Sequence, residues 1–145
     1  MKNATIATAK SLTFGTELEY TNITREKAAK AIHSVIGGRV RYERGAYDTW
    51  TVTAPDGRVW KAVSDGSLGD RAKSAEVVTP ILRWEDIPTL QEVVRALRRA
   101  GAQTPSCTSQ HVHVGVGNFF RKANRQHCAD FLQAGRADFE IRRNP

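Results

Sequence analysis

Cysteine is scarce in this sequence. Cys107 and Cys128 are too few to staple 145 residues and match no paired metal motif, so both read as reduced thiols. No apolar run approaches the roughly 20 residues that cross a bilayer, and the segment from Lys2 to Phe14 has neither the apolar stretch nor the cleavage site of a secretory leader. The expectation is a cytoplasmic protein with no membrane partner. Walker-type phosphate loops, dinucleotide glycine fingerprints, serine nucleophile elbows and Cys/His zinc spacings are missing as well. An enzyme built from this chain would have to work with carboxylates, histidines and a cation.

Acidic residues are also in the minority, 15 against 22 Lys and Arg, for a net charge of +7. The excess is uneven: residues 1–70 hold ten bases and eight acids, residues 71–145 twelve and seven. Such an imbalance suits a phosphorylated ligand or nucleic acid. It is equally ordinary for a solvated basic face. Because no Lys/Arg block is interleaved with aromatics, the sequence argues against nucleic acid as a partner. With 40% hydrophobic residues the chain can build one core, the number expected for this length.

Residues 1–11 lack large side chains and read as a flexible N-terminal arm, leaving 12–145 as one domain. In "LTFGTELEY" the residues Leu12, Phe14, Thr16, Leu18 and Tyr20 point one way, while Gly15, Glu17 and Glu19 point the other. Thr24 caps a helix whose stripe is Ala28, Ala31, Ile32, Val35 and Ile36, stopped by Gly37-Gly38. Three short strands follow, "RVRYER", "YDTWTVTA" and "RVWKAVSD", the last two joined by a Pro55-Asp56-Gly57 turn. "SAEVVTPIL" is another strand, which Pro80 should limit or place at an edge. Ile87, Leu90, Val93, Val94 and Leu97 mark a second helix up to Gly101. "QHVHVGV" is a strand, and Lys122 to Ala134 a third helix with Ala129, Phe131 and Leu132 inward. The order is that of an α+β fold with a mostly antiparallel sheet.

Three clusters could carry chemistry. Glu17 and Glu19 share a strand face; alone, such a pair reads as two solvated acids, but two carboxylates held this close repel unless a cation lies between them. Hard oxygen ligands suit Mg²⁺ or Mn²⁺. Asp65 and Glu76 flank a loop in which Gly66 and Gly69 permit close approach to a ligand, or simply form a polar turn. His111 and His113 lie on one face of their strand, with Val112, Val114 and Val116 filling the other. Two such imidazoles can bind metal or polyphosphate, or can face solvent. His33 and His127 have no partners in register and read as structural or exposed.

In order, "FGTELEY", Trp60 with "DGSL" at 65–68, "EVVTP" at 76–80, a helix ending in "RRAGA" and "HVHVG" resemble the amidoligase family. That family is related to glutamine synthetase and gamma-glutamylcysteine ligase, which join a carboxylate to an amine using ATP. The resemblance spans about residues 12–117. It implies a curved, mostly antiparallel sheet of the glutamine synthetase catalytic-domain type, with helices packed on one face and ATP with Mg²⁺ (or Mn²⁺) on the other. It implies Glu17, Glu19, Glu76 and His111 as metal ligands, Asp65 and Glu76 as catalytic acids, and His113 and Ser67 beside the nucleotide. Small-molecule or peptide carboxylates and amines would be the substrates, joined through an acyl phosphate.

The chain departs from the family in two places. Family members continue well beyond the histidine motif, so the resemblance implies a C-terminally truncated domain, inactive alone or completed by a second copy or a complementing chain. Ser109 and Gln110 also stand where the family has a glycine and an apolar residue. The alternatives are a catalytically silent metal- or nucleotide-binding module, a metal-dependent hydrolase using the same acids and histidines, and a basic nucleic-acid-binding domain.

Overall fold

The architecture is that of a computed structural model, in which residue 7 and residues 9–115 are described. Most of the arm expected at 1–11, the third helix expected at 122–134, His127, Cys128 and Val116 lie outside the described residues.

The alternation read in the first motif becomes β1 (Thr13–Thr21). Leu18 and Tyr20 are buried on one side of it, and period 2 places Glu17 and Glu19 on the other. Helix α1 (Arg25–Ile36) starts where Thr24 accepts a hydrogen bond from the Lys27 N–H at 3.2 Å, and ends at Gly37. Replacing Thr24 with Ala should lower the unfolding free energy by about 1 kcal/mol. A chemical denaturation curve with an unshifted midpoint would show the cap to be idle. Gly38 is required sterically as well as conformationally: at φ 85° a Cβ would lie 2.0 Å from the Thr53 carbonyl oxygen.

A meander follows: β2 (Arg39–Arg44), β3 (Thr49–Thr53) and β4 (Val59–Val63), with the Pro55-Asp56-Gly57 turn where the sequence places it. A 3₁₀ turn at Gly66–Leu68 leads to β5 (Ser74–Val78), then comes α2 (Ile87–Arg99), and β6 (Gln110–Gly115) closes the described chain. The six strands lie in the order β2-β3-β4-β5-β1-β6, and each neighbouring pair is antiparallel. The first strand is therefore interior, between β5 and β6, which sets Glu17 and Glu19 among residues from the far end of the sequence.

One core joins both helices to one face of the sheet. Ala28, Ala29 and Ile32 of α1 and Val93, Ala96 and Leu97 of α2 pack with Leu18, Val52, Trp60 and Val77. The small alanines let α1 approach the strands closely, and each large buried aliphatic contributes about 1.5–3 kcal/mol. Two ion pairs tie loops to this frame. Arg58 holds Asp86 bidentately at 2.8 and 2.9 Å, joining the β3–β4 hairpin to the start of α2. Arg25 pairs with Asp48 and donates to the Ser74 carbonyl at 3.0 Å, joining the loop before β3 to the start of β5.

Pro80 limits its strand, one of the two outcomes expected of it: β5 is interior and stops at Val78, ahead of the proline. Two expectations are corrected. Val94 is 36% exposed, because Ala96 takes the inward position on α2. Val112 and Val114 do not fill a covered apolar face, being 55% and 54% exposed. Among the described residues no helix is long and apolar enough to cross a membrane.

Candidate functional site

Register brings the acids and imidazoles to one face. Directly paired residues of antiparallel strands project to the same side. Glu19 is opposite Glu76 of β5, Glu17 is opposite His111 of β6, and Gly15 is opposite His113. Glu17, Glu19, Glu76, His111 and His113 thus share the sheet face turned away from the helices. Asp65 follows β4, whose Val63 pairs with Glu76, so the 3₁₀ turn stands beside that glutamate.

The contacts are specific. Glu17 Oε2 lies 3.1 Å from His111 Nδ1, and Oε1 lies 3.3 Å from His113 Nε2, so one carboxylate bridges both imidazoles. Glu19 Oε2 accepts the Ser109 N–H at 2.7 Å. The Ser109 hydroxyl is 3.4 Å from His111 Nε2. Asp65 caps its own turn, accepting the Ser67 N–H at 2.8 Å, and lies near enough to Glu76 to influence its charge. The Ser67 N–H is therefore occupied by Asp65. Leu68 anchors the turn in the core at 4% exposure.

Charge differentiates the acids. The His111 hydrogen bond, more than any other interaction, holds the Glu17 carboxyl below the usual carboxylate range. The Ser67 backbone N–H does the same for Asp65. Glu76 moves the opposite way: burial raises it first, then repulsion from Glu17, Asp65 and Glu19. A half-buried carboxyl pushed up by three acid neighbours is a group that a cation would relieve.

Ser109 is the contributor that sequence reasoning missed. It precedes His111 by two residues, so strand period alone puts it on the same side, but a serine before the histidine motif carries no chemical signal of its own. His33, on α1, is exposed and apart from this cluster, as is the lone described cysteine, Cys107.

For a divalent ion the donor chemistry fits: three glutamates, an aspartate and an imidazole offer hard oxygen and borderline nitrogen ligands. Among the described residues, however, no three His, Cys, Asp or Glu side chains are already gathered into a metal shell. Glu17 is turned to the imidazoles and Glu19 to Ser109, so coordination would require their carboxylates to reorient.

No curated protein and no solved structure matched the chain. A family described as "Putative amidoligase enzyme" matched residues 10–133, running past the histidine motif at 111–115 and covering most of the sequence. With its acid and histidine motifs aligned on one sheet face and this match over most of its length, the chain belongs to that amidoligase family.

Proposed function

We propose that the protein is an ATP- and Mg²⁺-dependent ligase that joins a carboxylate to an amine through an acyl phosphate. Family membership suggests ligase-type chemistry. The observation that carries the finer reading is the convergence of Glu17, Glu19, Glu76, Asp65, His111 and His113 on one face of the sheet. A glutamine synthetase-like sheet that holds ATP on this face belongs to the same proposal.

Glu17, Glu19, Glu76 and His111 would hold Mg²⁺ or Mn²⁺. When bound, the cation would screen the triphosphate charge and favour approach of an anionic nucleophile. His113 and Ser67 would meet the nucleotide at the edge of the cluster. A substrate carboxylate oxygen attacks the γ-phosphorus and ADP leaves; the amine nitrogen then attacks the acyl carbon and inorganic phosphate leaves. Asp65 would orient the incoming amine and take up the proton that nitrogen releases, while Glu76 would serve catalysis through the cation it helps to hold. No covalent protein nucleophile is required.

Mg²⁺-ATP at about 100 times its dissociation constant should raise the melting temperature by about 8 °C, and a mixture of carboxylates and amines should then release phosphate. A melting temperature indifferent to Mg²⁺-ATP would overturn the reading. A rise without phosphate release across broad acceptor mixtures would instead mark a silent nucleotide-binding module.

A further inference from the structure

Strand β2 is the outermost strand on the side of the sheet away from β1 and β6, and no other described strand pairs with its outer edge. Residues of an antiparallel ladder turn their N–H and C=O groups alternately to either side, so an edge strand leaves every second pair pointing outward. Only Val40 of this strand is partly covered; its other residues are exposed. Three of them are arginines, against a single glutamate, Glu43.

The two faces of β2 differ. Arg39 and Arg41 pair with Thr53 and Thr51 on the face turned away from the helices, while Val40 and Tyr42 pair with Val52 and Trp50 on the helix side. Arg39 has no hydrogen-bond or ion-pair partner among the described residues. The Arg41 side chain is 68% exposed, and its guanidinium meets only Glu43 among them, at 3.6 Å. That glutamate already accepts from the Thr51 hydroxyl at 3.0 Å. Tyr42 lies against Trp50, ring centroids 5.1 Å apart, and remains 43% exposed. The ladder with β3 shifts register between Tyr42 and Arg44, so Arg39–Tyr42 is the regular stretch.

Arginines on an open edge discourage pairing with apolar or basic strands. They favour an acidic one. An added strand alternates its side chains between the faces, so carboxylates at every second position would reach Arg39 and Arg41, with apolar side chains between them lying on Val40 and Tyr42. A second copy of β2 would bring the same excess of arginine, and like charges on facing strands oppose that pairing. Single-stranded nucleic acid wants cations and stacking rings on one platform. Here Arg39 and Arg41 stand on one face and Tyr42 on the other.

We propose that β2 is a docking edge for an extended acidic segment of a partner protein, which adds to the sheet as a further strand with its carboxylates on Arg39 and Arg41 and its apolar side chains on Val40 and Tyr42. The inference stands apart from the ligase reading, since it uses neither the acid cluster nor nucleotide nor metal.

Fluorescence anisotropy of a labelled peptide of alternating glutamate and valine, about six residues long, titrated with the full chain, tests it. Binding should saturate and weaken as salt rises. A lysine–valine peptide should bind at least about tenfold more weakly. Arg39→Gln with Arg41→Gln should weaken the acidic peptide about tenfold while leaving the melting temperature unchanged, because both side chains are exposed. Strand addition should also slow hydrogen exchange at the amides of residues 39–42 about tenfold in the bound protein. No binding of the acidic peptide, equal binding of the lysine peptide, an unchanged affinity in the double variant, or binding that leaves exchange at residues 39–42 unaltered would overturn the proposal. So would a dimer seen by light scattering and lost in the double variant, which would assign the edge to a second copy. Tighter binding of a labelled oligodeoxynucleotide than of the peptide, lost in the same variant, would overturn it in favour of nucleic acid.

Discussion

Glu76→Gln should make the protein more stable in metal-free buffer and useless as a ligase. In the fold the Glu76 carboxyl is pushed above its ordinary value of 4.5, by burial first and then by Glu17, Asp65 and Glu19. The folded chain therefore prefers the protonated form. Its contribution to stability is complete below the unfolded pKa and is lost as pH rises through the raised folded value. Above that raised value the wild type has lost it, whereas a glutamine of the same shape has no charge to bury and can donate to Asp65. The variant should melt about 2 °C or more above the wild type at pH 7 in chelator, the gap closing as pH falls through that window. With Mg²⁺-ATP the order should reverse, because only the wild type gains a ligand, and phosphate release should fall about 100-fold, as expected when metal coordination is damaged. A variant that melts lower at pH 7, or that keeps the wild-type response to Mg²⁺-ATP, would separate Glu76 from the cation.

The same residue shows why much of this fold was legible in advance. Strand period alone separates Glu17 and Glu19 from Leu18 and Tyr20, and the structure keeps that separation. Thr24, Gly37 and the Pro55-Asp56-Gly57 turn act where local chemistry places them, since caps and turns depend on a few adjacent residues. Strand order was not legible. Pro80 reads as limiting its strand or placing it at an edge; it does the first, but nothing near it reports that β1 returns to pair with β5 and makes that strand interior. Val112 and Val114 show the same limit from another side: alternation says which residues share a face but not whether anything covers it.

For the site, motif order supplied the residues and register supplied the contacts. That Glu19 would face Glu76, and Glu17 would face His111, depends on pairings between segments 57 and 94 residues apart. Local pattern cannot carry that information. Nor could it foresee that Glu17 is already engaged by two imidazoles, or that Asp65 spends one oxygen on its own turn. These contacts alter the energetics: the acids are partly neutralised by neighbours, which is why only Glu76 is pushed upward while Glu17 and Asp65 are held down.

They also change what the double substitution Glu17→Gln with Glu19→Gln should do. From sequence, removing two mutually repelling acids should cost the metal-free fold little. In the structure both acids brace β6, an edge strand among the described residues with all six of its residues exposed. Glu17 reaches His111 and His113, and Glu19 accepts the Ser109 N–H at 2.7 Å. A hydrogen bond to a charged acceptor contributes about 1.5–3 kcal/mol. Because β6 has little buried side-chain area to compensate, the loss should appear there as local opening rather than in global melting. Hydrogen exchange should therefore accelerate about tenfold or more at the amides of residues 110–115, while the β3 and β4 amides keep wild-type protection. Stabilisation by Mg²⁺-ATP should vanish in the same variant. If β6 stays protected but the Mg²⁺-ATP response is gone, the acids serve the ligand alone; if β6 loosens while the response persists, they brace the strand and the cation is held elsewhere.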